Sequence, residues 1–530
     1  MVDTGILKLS LLDKRIKAFL QGYRQNIALI GHDREEIAFL LDTYLENNKS
    51  PELIYLHTTT AYAGKKDFAK SLVKSLLENF NASLANIDAL INQTEPKLPI
   101  TTGLIKELLR KNTFTLQDIL DIVNKFIIES NKRCVLIVEE FIDLKTIFPN
   151  CLKDFSKFII LQRGCMIILA TSRQRETQKI LASELNLLFG DFEKIFLNEK
   201  NFTDSYLHLK KCLDPMPATP FLISFLVNIL GDNVIYHRLI CEILKKNYGC
   251  DCEDDMLVAT LTETLYRDTT YFFQKFLKNI DIIAEKLKDR DAGLKILLAI
   301  TDGYIRKKDL SSLNICNNKE LAGKLSKLVD SNYVLNYGEV YGANDPLFGF
   351  WLANIFKLHF APAELNRSSR KTAWEQRIRQ EISAARQDFY KDKINQVFDL
   401  IGSFKDDSLK IGKDRYRLPL IDHKKIVSDK DKGTHIVIGD GQEIVVLGIK
   451  ENTVEDNDIT EFMEKGSNIK GKKVKKIFIS LDKFSHSAKL IAKENHFITW
   501  DIDDVNNLMK AYNRPIISTE KLTNASFSTV

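Results

Sequence analysis

The sequence predicts an α/β protein whose N-terminal part is built on a parallel β-sheet. Residues 1–205 alternate short apolar runs with segments of helical periodicity, which is the pattern of a parallel sheet covered by helices. Residues 206–290 are helical throughout, and short strands with tight-turn residues follow from 411 onward. At 530 residues the chain exceeds one ordinary domain, and a typical domain size of about 150 residues indicates roughly three or four domains.

Five apolar runs in the N-terminal part are predicted to be the strands of this sheet. They are Asn26–Ile30, Glu52–His57, Cys134–Val138, Met166–Thr171 and Lys194–Leu197. An amphipathic helix is predicted after Gly31, because Ile37, Leu40, Leu41 and Leu45 fall on one helical face. The segment Lys70–Leu77 shows the same periodicity and is predicted to be a second helix of this kind.

Composition and charge indicate a globular protein without a membrane span. The chain is 44% hydrophobic and 28% charged, and its net charge of +5 is too small in so long a chain to indicate a nucleic-acid binder by itself. It contains no apolar run of about 18 residues and no signal-peptide pattern, so we expect a cytoplasmic protein with no membrane partner. The eight cysteines contain no C-x-x-C pair. Cys250 and Cys252 are interpreted as reduced surface thiols, and no metal site is expected.

The segment 26–45, NIALIGHDREEIAFLLDTYL, has the strand, turn and helix that surround a phosphate-binding loop. In a working loop, backbone amides wrap the phosphates, a lysine reaches the β and γ oxygens, and a Ser or Thr hydroxyl holds Mg²⁺. The run LLDKRIKAFLQGYRQNIALIG resembles the start of the ATPase module in archaeal-type ATPases of the AAA+/STAND group. Their sequences typically continue as G-P-R-R-x-G-K-T-S-L-L, and the resemblance implies a P-loop NTPase-like sandwich around a parallel sheet.

On that pattern, Gly31 and Arg34 match and are the candidate nucleotide-binding residues of the loop. Three other positions, those of the second Gly, the Lys and the Ser/Thr, are occupied by Glu36, Ile37 and Ala38. Glu36 places a negative charge beside the polyphosphate, Ile37 lacks the ammonium, and Ala38 lacks the metal-binding hydroxyl. ATP hydrolysis at this site is therefore not expected.

The segment RCVLIVEEFIDL at 133–144 is a buried strand that ends in two acids. Taken alone, this pattern also fits a strand that becomes polar where it reaches solvent. The resemblance implies a Walker B element, with Glu139 at the position of the Asp that orients Mg²⁺ and Glu140 at that of the catalytic Glu. Both are candidate catalytic residues, and ancestry alone does not make them active.

A later strand, in CMIILATSRQRETQKIL at 165–181, lies where these ATPases place the polar residue that senses the γ-phosphate. The matching positions are Thr171 and Ser172, which we include among the candidate nucleotide-binding residues. Arg173 and Arg175 follow them. These arginines either reach a phosphate or a neighbouring subunit, or lie on a solvated helix start.

Residues 206–290 resemble the helical lid that follows the sheet in this group, and 291–362 resemble its winged-helix domain. The latter reads helix, helix, helix and β-wing, and it closes with Asp345-Pro346-x-Phe348-x-x-Trp351. Pro346 ends the strand and starts a helix, and Phe348 and Trp351 are expected to pack on one face of the core.

The third helix of the winged-helix segment, about Lys319–Val329, could enter the major groove of DNA. Its basic side chains are Lys319, Lys324 and Lys327, of which the last two are candidate nucleic-acid contacts. In this family the domain also serves as a protein-docking module, so both readings stay open.

A linker helix is predicted over 363–400, running to about Leu400, and the order of strands and helices over 401–530 resembles a restriction-endonuclease-like, PD-(D/E)XK, domain. That fold needs an Asp on one strand and an acid-x-Lys on the next, because two carboxylates hold Mg²⁺ while the Lys positions water. Lys450 is retained as a vestigial nuclease lysine, but Gly448 stands at the position of the acid. Nearby acids lie before the strand or around the hairpin turn: Asp431, Asp440 and Glu443. Nuclease chemistry is not expected.

Six lysines occur within a dozen positions before and in the strand that follows: Lys465, Lys470, Lys472, Lys473, Lys475 and Lys476. If they face one way, the last five are candidate nucleic-acid contacts. The alternative is a solvated loop ahead of a core strand.

The resemblance implies a degenerate archaeal-type AAA+/STAND ATPase that acts as a non-catalytic binding or regulatory scaffold, with nucleic acid or another protein as its partner. No cofactor is then expected. Two alternatives stay open. One is a weak ATPase that uses Glu139 and Glu140 and takes ATP and Mg²⁺; the other is a protein-docking adaptor with no nucleic-acid role.

Overall fold

The computed structural model describes most of the chain, and the ranges described are 9–60, 64–79, 86–183, 192–197, 202–250, 252–359, 367–411, 414–420, 423–429, 434–440, 444–467 and 474–517. The chain divides into two compact units. The first comprises Met1–Lys200 with Asn233–Ile235, and the second comprises Asn201–Asp232 with Tyr236–Val530. In the described parts of the chain we find no helix with the length and apolar character needed to span a bilayer.

The first unit is built on a five-stranded parallel sheet. Its strands are β1 (Asn26–Ile30), β2 (Leu53–Thr59), β3 (Arg133–Glu139), β4 (Cys165–Thr171) and β5 (Phe192–Phe196). They lie in the order β2-β3-β4-β1-β5, and each neighbouring pair is parallel. The predicted α/β class with a parallel sheet is confirmed, and the order is consistent with a P-loop NTPase-like fold. Because β4 lies between β3 and β1, the carboxyl ends of these three strands meet at one edge.

Helices cover both faces of this sheet. They are α1 (Ser10–Leu20), α2 (Arg34–Asn47), α3 (Lys65–Glu78), α4 (Ile87–Thr94), α5 (Pro99–Arg110), α6 (Leu116–Ser130), α7 (Leu144–Ile147), α8 (Cys151–Leu161) and α9 (Gln174–Ser183). Successive strand residues point to opposite faces. Leu29 and Ile137 therefore pack with α1 and α2, whereas Leu56 and Leu136 pack with α3, α5, α6 and α8.

The second unit begins with helices, which are α10 (Phe202–Leu213), α11 (Pro220–Leu230), α12 (Val234–Lys246, whose first two residues belong to the first unit), α13 (Glu253–Leu261) and α14 (Tyr271–Leu287). Three further helices and a hairpin follow: α15 (Arg290–Thr301), α16 (Lys307–Ser312), α17 (Asn318–Asp330), β6 (Val334–Asn336) and β7 (Tyr341–Ala343). The hairpin strands are antiparallel, and Val340 also bridges to Arg306.

Two short helices close this region, α18 (Pro346–Trp351) and α19 (Lys357–His359). Asp345 caps α18, because its Oδ1 accepts hydrogen bonds from the amides of Leu347 and Phe348 at 3.0 and 3.1 Å. Phe348 and Trp351 are both buried and contact the ring of Phe276. The proline and the two aromatic residues thus have the structural roles expected from their spacing.

The predicted single helix to about Leu400 is wrong. The structure has two helices, α20 (Arg367–Tyr390) and α21 (Lys393–Ile401). The break falls at Asp392, whose backbone leaves the helical region and whose carboxylate accepts a hydrogen bond from the amide of Asn395 at 3.0 Å. A capping aspartate starts a new helix, and the apolar periodicity alone does not reveal it.

The C-terminal part has a mixed five-stranded sheet and a separate hairpin. The hairpin is β8 (Asp407–Ile411) with β9 (Asp414–Leu418), and the sheet strands are β10 (His423–Asp429), β11 (Thr434–Asp440), β12 (Ile444–Lys450), β13 (Val474–Ser480) and β14 (Ile498–Trp500). The order is β10-β11-β12-β13-β14, antiparallel as far as β12 and parallel beyond it. Three helices accompany it, α22 (Asp456–Ser467), α23 (His486–Glu494) and α24 (Ile502–Ala511). Strands β8 and β10 were not predicted from the sequence.

Candidate functional site

The turn between β1 and α2 contains only Gly31, His32 and Asp33. The amide of Gly31 donates a hydrogen bond to the carbonyl of Thr171 on the adjacent strand, at 3.0 Å. Asp33 caps the helix, since its Oδ1 accepts hydrogen bonds from the amides of Glu35 and Glu36 at 2.8 and 3.1 Å. Backbone amides at a helix N-terminus are the groups that bind phosphate in a working loop. In this chain two of them are bound to a carboxylate of the chain itself.

The positions that match the catalytic loop residues are packed into the first unit. Glu36 is 2% exposed, and its Oε1 accepts a hydrogen bond from the amide of Val234 at 3.2 Å. Ile37 is also 2% exposed and packs in the apolar layer between α2 and the sheet. Arg34, the other matching residue, is half-buried at the first position of α2. The side chains of Glu36 and Ile37 therefore serve packing and capping here.

Glu139, at the end of β3, is buried beside a histidine that the sequence analysis did not single out. Its Oε1 lies 2.6 Å from Nε2 of His57, and Nδ1 of His57 lies 3.5 Å from Oδ1 of Asp42. Burial by itself lowers the pKa of His57, but the hydrogen bond to Glu139 and the charges of Glu139 and Asp42 outweigh it, so the pKa is raised. The imidazolium form is thus favoured between two carboxylates, at the place where the resemblance implies Mg²⁺.

Glu140 follows in a left-handed backbone conformation, with φ 50° and ψ 41°. It is 5% exposed, its Oε1 accepts a hydrogen bond from the amide of Ser172 at 2.9 Å, and its Oε2 lies 3.8 Å from Nε of Arg173. Burial raises the pKa of Glu140, an effect that the Ser172 hydrogen bonds and the Arg173 charge only partly offset. Thr60 fixes this turn, because its hydroxyl donates to the carbonyls of Glu139 and Glu140.

Arg173 is engaged by three acids of the same unit. Besides Glu140, its guanidinium contacts Asp143, and its Nη1 lies 3.5 Å from Oε2 of Glu176. Thr171 is fully buried, and its hydroxyl accepts a hydrogen bond from the amide of Arg173 at 3.0 Å. The side chain of Arg175 lies outside the described residues.

The strand ends therefore bring five predicted site residues together: Gly31, Glu139, Glu140, Thr171 and Ser172. Four residues that complete the cluster were missed by the sequence analysis: Asp33, Asp42, His57 and Thr60. The sequence carried two usable signals: His57 and Thr60 lie at or just after the end of an apolar strand, and Asp33 directly precedes a helical run. The arrangement gives each carboxylate a basic partner within the same unit, His57 for Glu139 and Arg173 for Glu140.

Lys450 belongs to the second unit, where it ends β12. Its ammonium contacts both carboxylate oxygens of Asp458 on α22, at 2.7 and 2.8 Å. Gly448 is closely packed, because a Cβ added there would lie 2.9 Å from ring atoms of Phe478 and 3.1 Å from Phe462. An acidic side chain at the position of Gly448 would therefore displace two buried rings. Asp431 and Glu443 lie outside the described residues, as does the side chain of Asp440.

The predicted lysine contacts are divided among different surroundings. Lys475 and Lys476 are neighbours on β13 and so point to opposite faces; Lys475 donates to the carbonyl of Arg417, and Lys476 lies 5.2 Å from the ring centroid of Phe497. Lys470, Lys472 and Lys473 lie outside the described residues, as does the side chain of Lys465.

On α17, Lys324 and Lys327 also differ. Lys324 is 13% exposed, with its Nζ 2.7 Å from Oδ2 of Asp289. Lys327 is exposed, and its Nζ lies 3.5 Å from the carbonyl of Lys286. The Asp289 ion pair therefore occupies Lys324, whereas Lys327 presents its charge to solvent.

Comparison with known proteins gives similarities to solved structures only. No protein-family model matches the chain, and no curated protein matches it significantly. A Walker-type ATPase of Pyrococcus abyssi is 15% identical, with a TM-score of 0.47 over 65% of this chain and 94% of that chain. The ORC2 protein of Aeropyrum pernix, in ADPNP–ADP complexes, is 11% identical, with a TM-score of 0.43 over 71% and 94%.

The ORC1 protein of Aeropyrum pernix in complex with DNA is 11% identical, with a TM-score of 0.35 over 71% of this chain and 93% of that chain. At such identities and TM-scores, the fold is assigned from the strand order itself. The chain has an α/β fold with a parallel five-stranded sheet, consistent with a P-loop NTPase-like fold.

Proposed function

We propose that this chain is a non-catalytic binding or regulatory scaffold that retains a degenerate nucleotide site of the archaeal-type AAA+/STAND kind. The observation that carries the proposal is the capping of α2 by Asp33, whose carboxylate holds the amides of Glu35 and Glu36. A phosphate at this helix end would have to displace that carboxylate and would meet its negative charge. Gly31, Arg34, Thr171 and Ser172 are, in this proposal, remnants of the nucleotide site.

The state of the two Walker B acids supports the same proposal. A catalytic base must be ionised and must contact the attacking water. Burial raises the pKa of Glu140, and its carboxylate is bound to the Ser172 amide and lies beside Arg173. Glu139 contacts His57, whose pKa is raised chiefly by its hydrogen bond to this carboxylate against the opposing effect of burial. Each acid therefore has a structural partner in place of the metal and water that hydrolysis requires.

Phosphate release from Mg·ATP tests the loss of turnover. We expect the wild-type chain and Glu140→Gln to release phosphate at the same rate as buffer. The matched control is Glu52→Gln, an exposed acid at the start of β2 and so at the other end of the strands. If wild type and Glu52→Gln release phosphate and Glu140→Gln does not, the proposal is overturned and the weak ATPase is favoured.

We further propose that 291–362 form a winged-helix domain that contacts nucleic acid, and that 401–530 form a nuclease-like domain without nuclease chemistry. Three helices followed by an antiparallel hairpin support the first assignment. The solvent-exposed face of α17 carries Lys319 and Lys327 with the small residues Gly323 and Ser326 between them, and it also carries the acids Glu320 and half-buried Asp330. Gly323 and Ser326 leave room for a DNA backbone to approach the helix between the two ammonium groups. Exposed Lys286 lies next to Lys327 and adds to the positive charge.

The salt dependence of binding to duplex DNA tests this surface. Lys319→Glu/Lys327→Glu should weaken binding and reduce the salt slope by about 2, since each phosphate contact contributes about 1. Lys66→Glu/Lys70→Glu, two exposed lysines of α3, makes the same change in net charge and should have a smaller effect. Lys472→Glu/Lys473→Glu tests the C-terminal lysines separately. A wild-type chain with no affinity for DNA at low salt would overturn the nucleic-acid role and favour a protein-docking adaptor.

A further inference from the structure

Two histidines and two cysteines meet between helices α10 and α12 of the second unit. Each helix carries the spacing H-x₃-C, which places its histidine and cysteine on one face. The residues are His208 and Cys212 on α10, and His237 and Cys241 on α12. The chain has only 9 His and 8 Cys among 530 residues, so a meeting of two of each calls for a chemical explanation.

The four side chains are in direct contact. Nδ1 of His208 lies 2.9 Å from Nδ1 of His237, and the two ring centroids are 5.1 Å apart. Sγ of Cys212 lies 3.6 Å from Nε2 and 3.9 Å from Nδ1 of His208. The thiol of Cys241 lies beside that of Cys212, and this neighbour together with burial raises the pKa of Cys241. Nitrogen and sulfur donors therefore form one continuous group.

The environment resembles that of metal-ligating side chains. His237 and Cys241 are each 1% exposed and His208 is 9% exposed, while Cys212 is half-buried and gives access from solvent. Nε2 of His237 lies 2.9 Å from the carbonyl of Gly231, which can only accept, so this nitrogen carries the proton. Nδ1 of the neutral ring then carries a lone pair. Metal-ligating histidines are held in the same way, by a backbone carbonyl on the other ring nitrogen.

We propose that His208, Cys212, His237 and Cys241 bind a zinc ion and so form a structural Cys₂His₂ site that joins α10 to α12. Two thiolates balance the charge of Zn²⁺, and four protein ligands leave no open position, as in structural rather than catalytic zinc sites. Binding releases the two thiol protons, while the proton on Nδ1 of His208 moves to Nε2 of the same ring so that Nδ1 can ligate. This inference is independent of the nucleotide and nucleic-acid proposals.

Small movements of these four side chains are enough to form the metal site. With the side chains as they stand, no three His, Cys, Asp or Glu groups among the described residues are arranged to hold an ion. Zn–N and Zn–S bonds of about 2.0–2.1 and 2.3 Å in a tetrahedron require N···N and N···S separations of about 3.3 and 3.6 Å. The Nδ1 atoms must therefore move apart by roughly 0.4 Å and turn toward the ion, and Sγ of Cys212, 3.9 Å from Nδ1 of His208, must approach it by roughly 0.3 Å.

Cobalt substitution of the full chain tests the site. After removal of bound metal by a chelator, titration with Co²⁺ should give one ion per chain, the visible absorption of tetrahedral cobalt, and near-ultraviolet thiolate-to-cobalt charge transfer. Zn²⁺ should then displace the cobalt. Absence of tetrahedral absorption at stoichiometric Co²⁺ would overturn the proposal.

Variants locate the ion. Cys212→Ser, at the half-buried position, should remove about half of the charge-transfer absorption, and it should weaken binding by more than the roughly 10–100-fold that loss of an outer partner costs. Cys250→Ser/Cys252→Ser, at two exposed cysteines, should bind as the wild type does. A Cys212→Ser variant that keeps the full wild-type spectrum would place the metal elsewhere and contradict the proposal.

The effect of Zn²⁺ on thermal unfolding distinguishes a variant that has lost the ion from one that is only less stable. Zn²⁺ should raise the thermal unfolding midpoint of the wild type, because it binds the folded chain, and the rise should be absent in Cys212→Ser. If both chains rise equally, the ion is not held by these four residues.

Discussion

Oε1 of Glu139 lies 2.6 Å from Nε2 of His57, and the opposite nitrogen of that ring lies 3.5 Å from Asp42. In the nucleotide site that the sequence resembles, Glu139 would orient Mg²⁺. Here its carboxylate contacts an imidazole on the neighbouring strand, and the pKa of that imidazole is raised. The contacts of His57 with Glu139 and Asp42 join the ends of β2 and β3 to α2 through side chains of this unit alone.

The His57 ion pairs predict a pH-dependent stability. The pKa of His57 is raised in the folded state, so its contribution is fully present below the unfolded value of about 6.5 and is lost as the pH rises through the folded value. Urea unfolding across this range should show wild type losing stability relative to His57→Gln as the pH increases. The exposed His486→Gln is the control and should follow wild type. Parallel curves for wild type and His57→Gln would show that His57 is not cationic in the fold.

Glu140→Gln is expected to stabilise the protein at neutral pH. Burial raises the pKa of Glu140, so ionising it opposes folding, and glutamine keeps an oxygen that accepts from the Ser172 amide. The gain in the urea midpoint should shrink as the pH falls and the wild-type carboxyl becomes protonated. Glu140→Ala, which removes the acceptor, should instead lower the midpoint. Equal destabilisation by both variants would mean that the carboxylate charge is itself required.

Asp33→Ala should lower the free energy of unfolding by about 0.5–2 kcal/mol, because the helix loses its capping acceptor. Asp33→Asn keeps an oxygen at the cap and should cost less. Chemical denaturation of the three chains measures the difference. If Asp33→Ala is as stable as wild type, the carboxylate does not hold the amides of Glu35 and Glu36 in solution.

Asp407 in the second unit predicts a sensitivity to acid. Its carboxylate accepts from Arg306 at 2.6 and 2.7 Å and from the hydroxyl of Tyr512 at 2.7 Å. Burial by itself raises the pKa of Asp407, but these hydrogen bonds outweigh it and the pKa is lowered. The contribution is therefore present above the ordinary value of about 3.9 and is lost as the pH falls through the folded value.

Asp407→Asn should cost about 3–5 kcal/mol at neutral pH, because buried Arg306 then keeps only the more distant Asp309, 3.6 Å from its Nη1. The variant should also lose less stability than wild type on acidification. The neighbouring Asp406, whose ion pair with Arg417 is exposed, gives a matched control: Asp406→Asn should cost less than about 1 kcal/mol. Similar costs for the two variants would contradict the assignment of a buried pair.

The sheet of the first unit was predictable from sequence because its strands are continuous apolar runs. Asn26–Ile30 is reproduced in full, and the remaining four strands shift by a residue or two, since hydrophobic patterns fix ends poorly. The break at Asp392 was missed because one capping side chain, not periodicity, sets it. Strand β10 was missed because HKKIVSD is mostly polar. Such a segment forms a strand through its pairing with β11, which composition does not predict.

The candidate site was predictable only in part. The strand ends could be matched to known motifs, but His57 and Glu139 are 82 positions apart, and no local pattern states that they touch. Asp33 was within reach, because an aspartate just before a helical run is an N-cap signal. The repeated H-x₃-C at 208–212 and 237–241 was equally visible in the sequence, although only the packing of α10 against α12 makes it a cluster.

Equilibrium binding of Mg·ATP tests the central claim most directly, namely that the strand-end cluster has replaced the nucleotide. Isothermal titration of the wild-type chain and of Glu140→Gln should give no heat of binding at ligand concentrations well above those of the protein. Micromolar binding by the wild type, together with nucleotide trapped by Glu140→Gln, would contradict the account and identify a working ATP site.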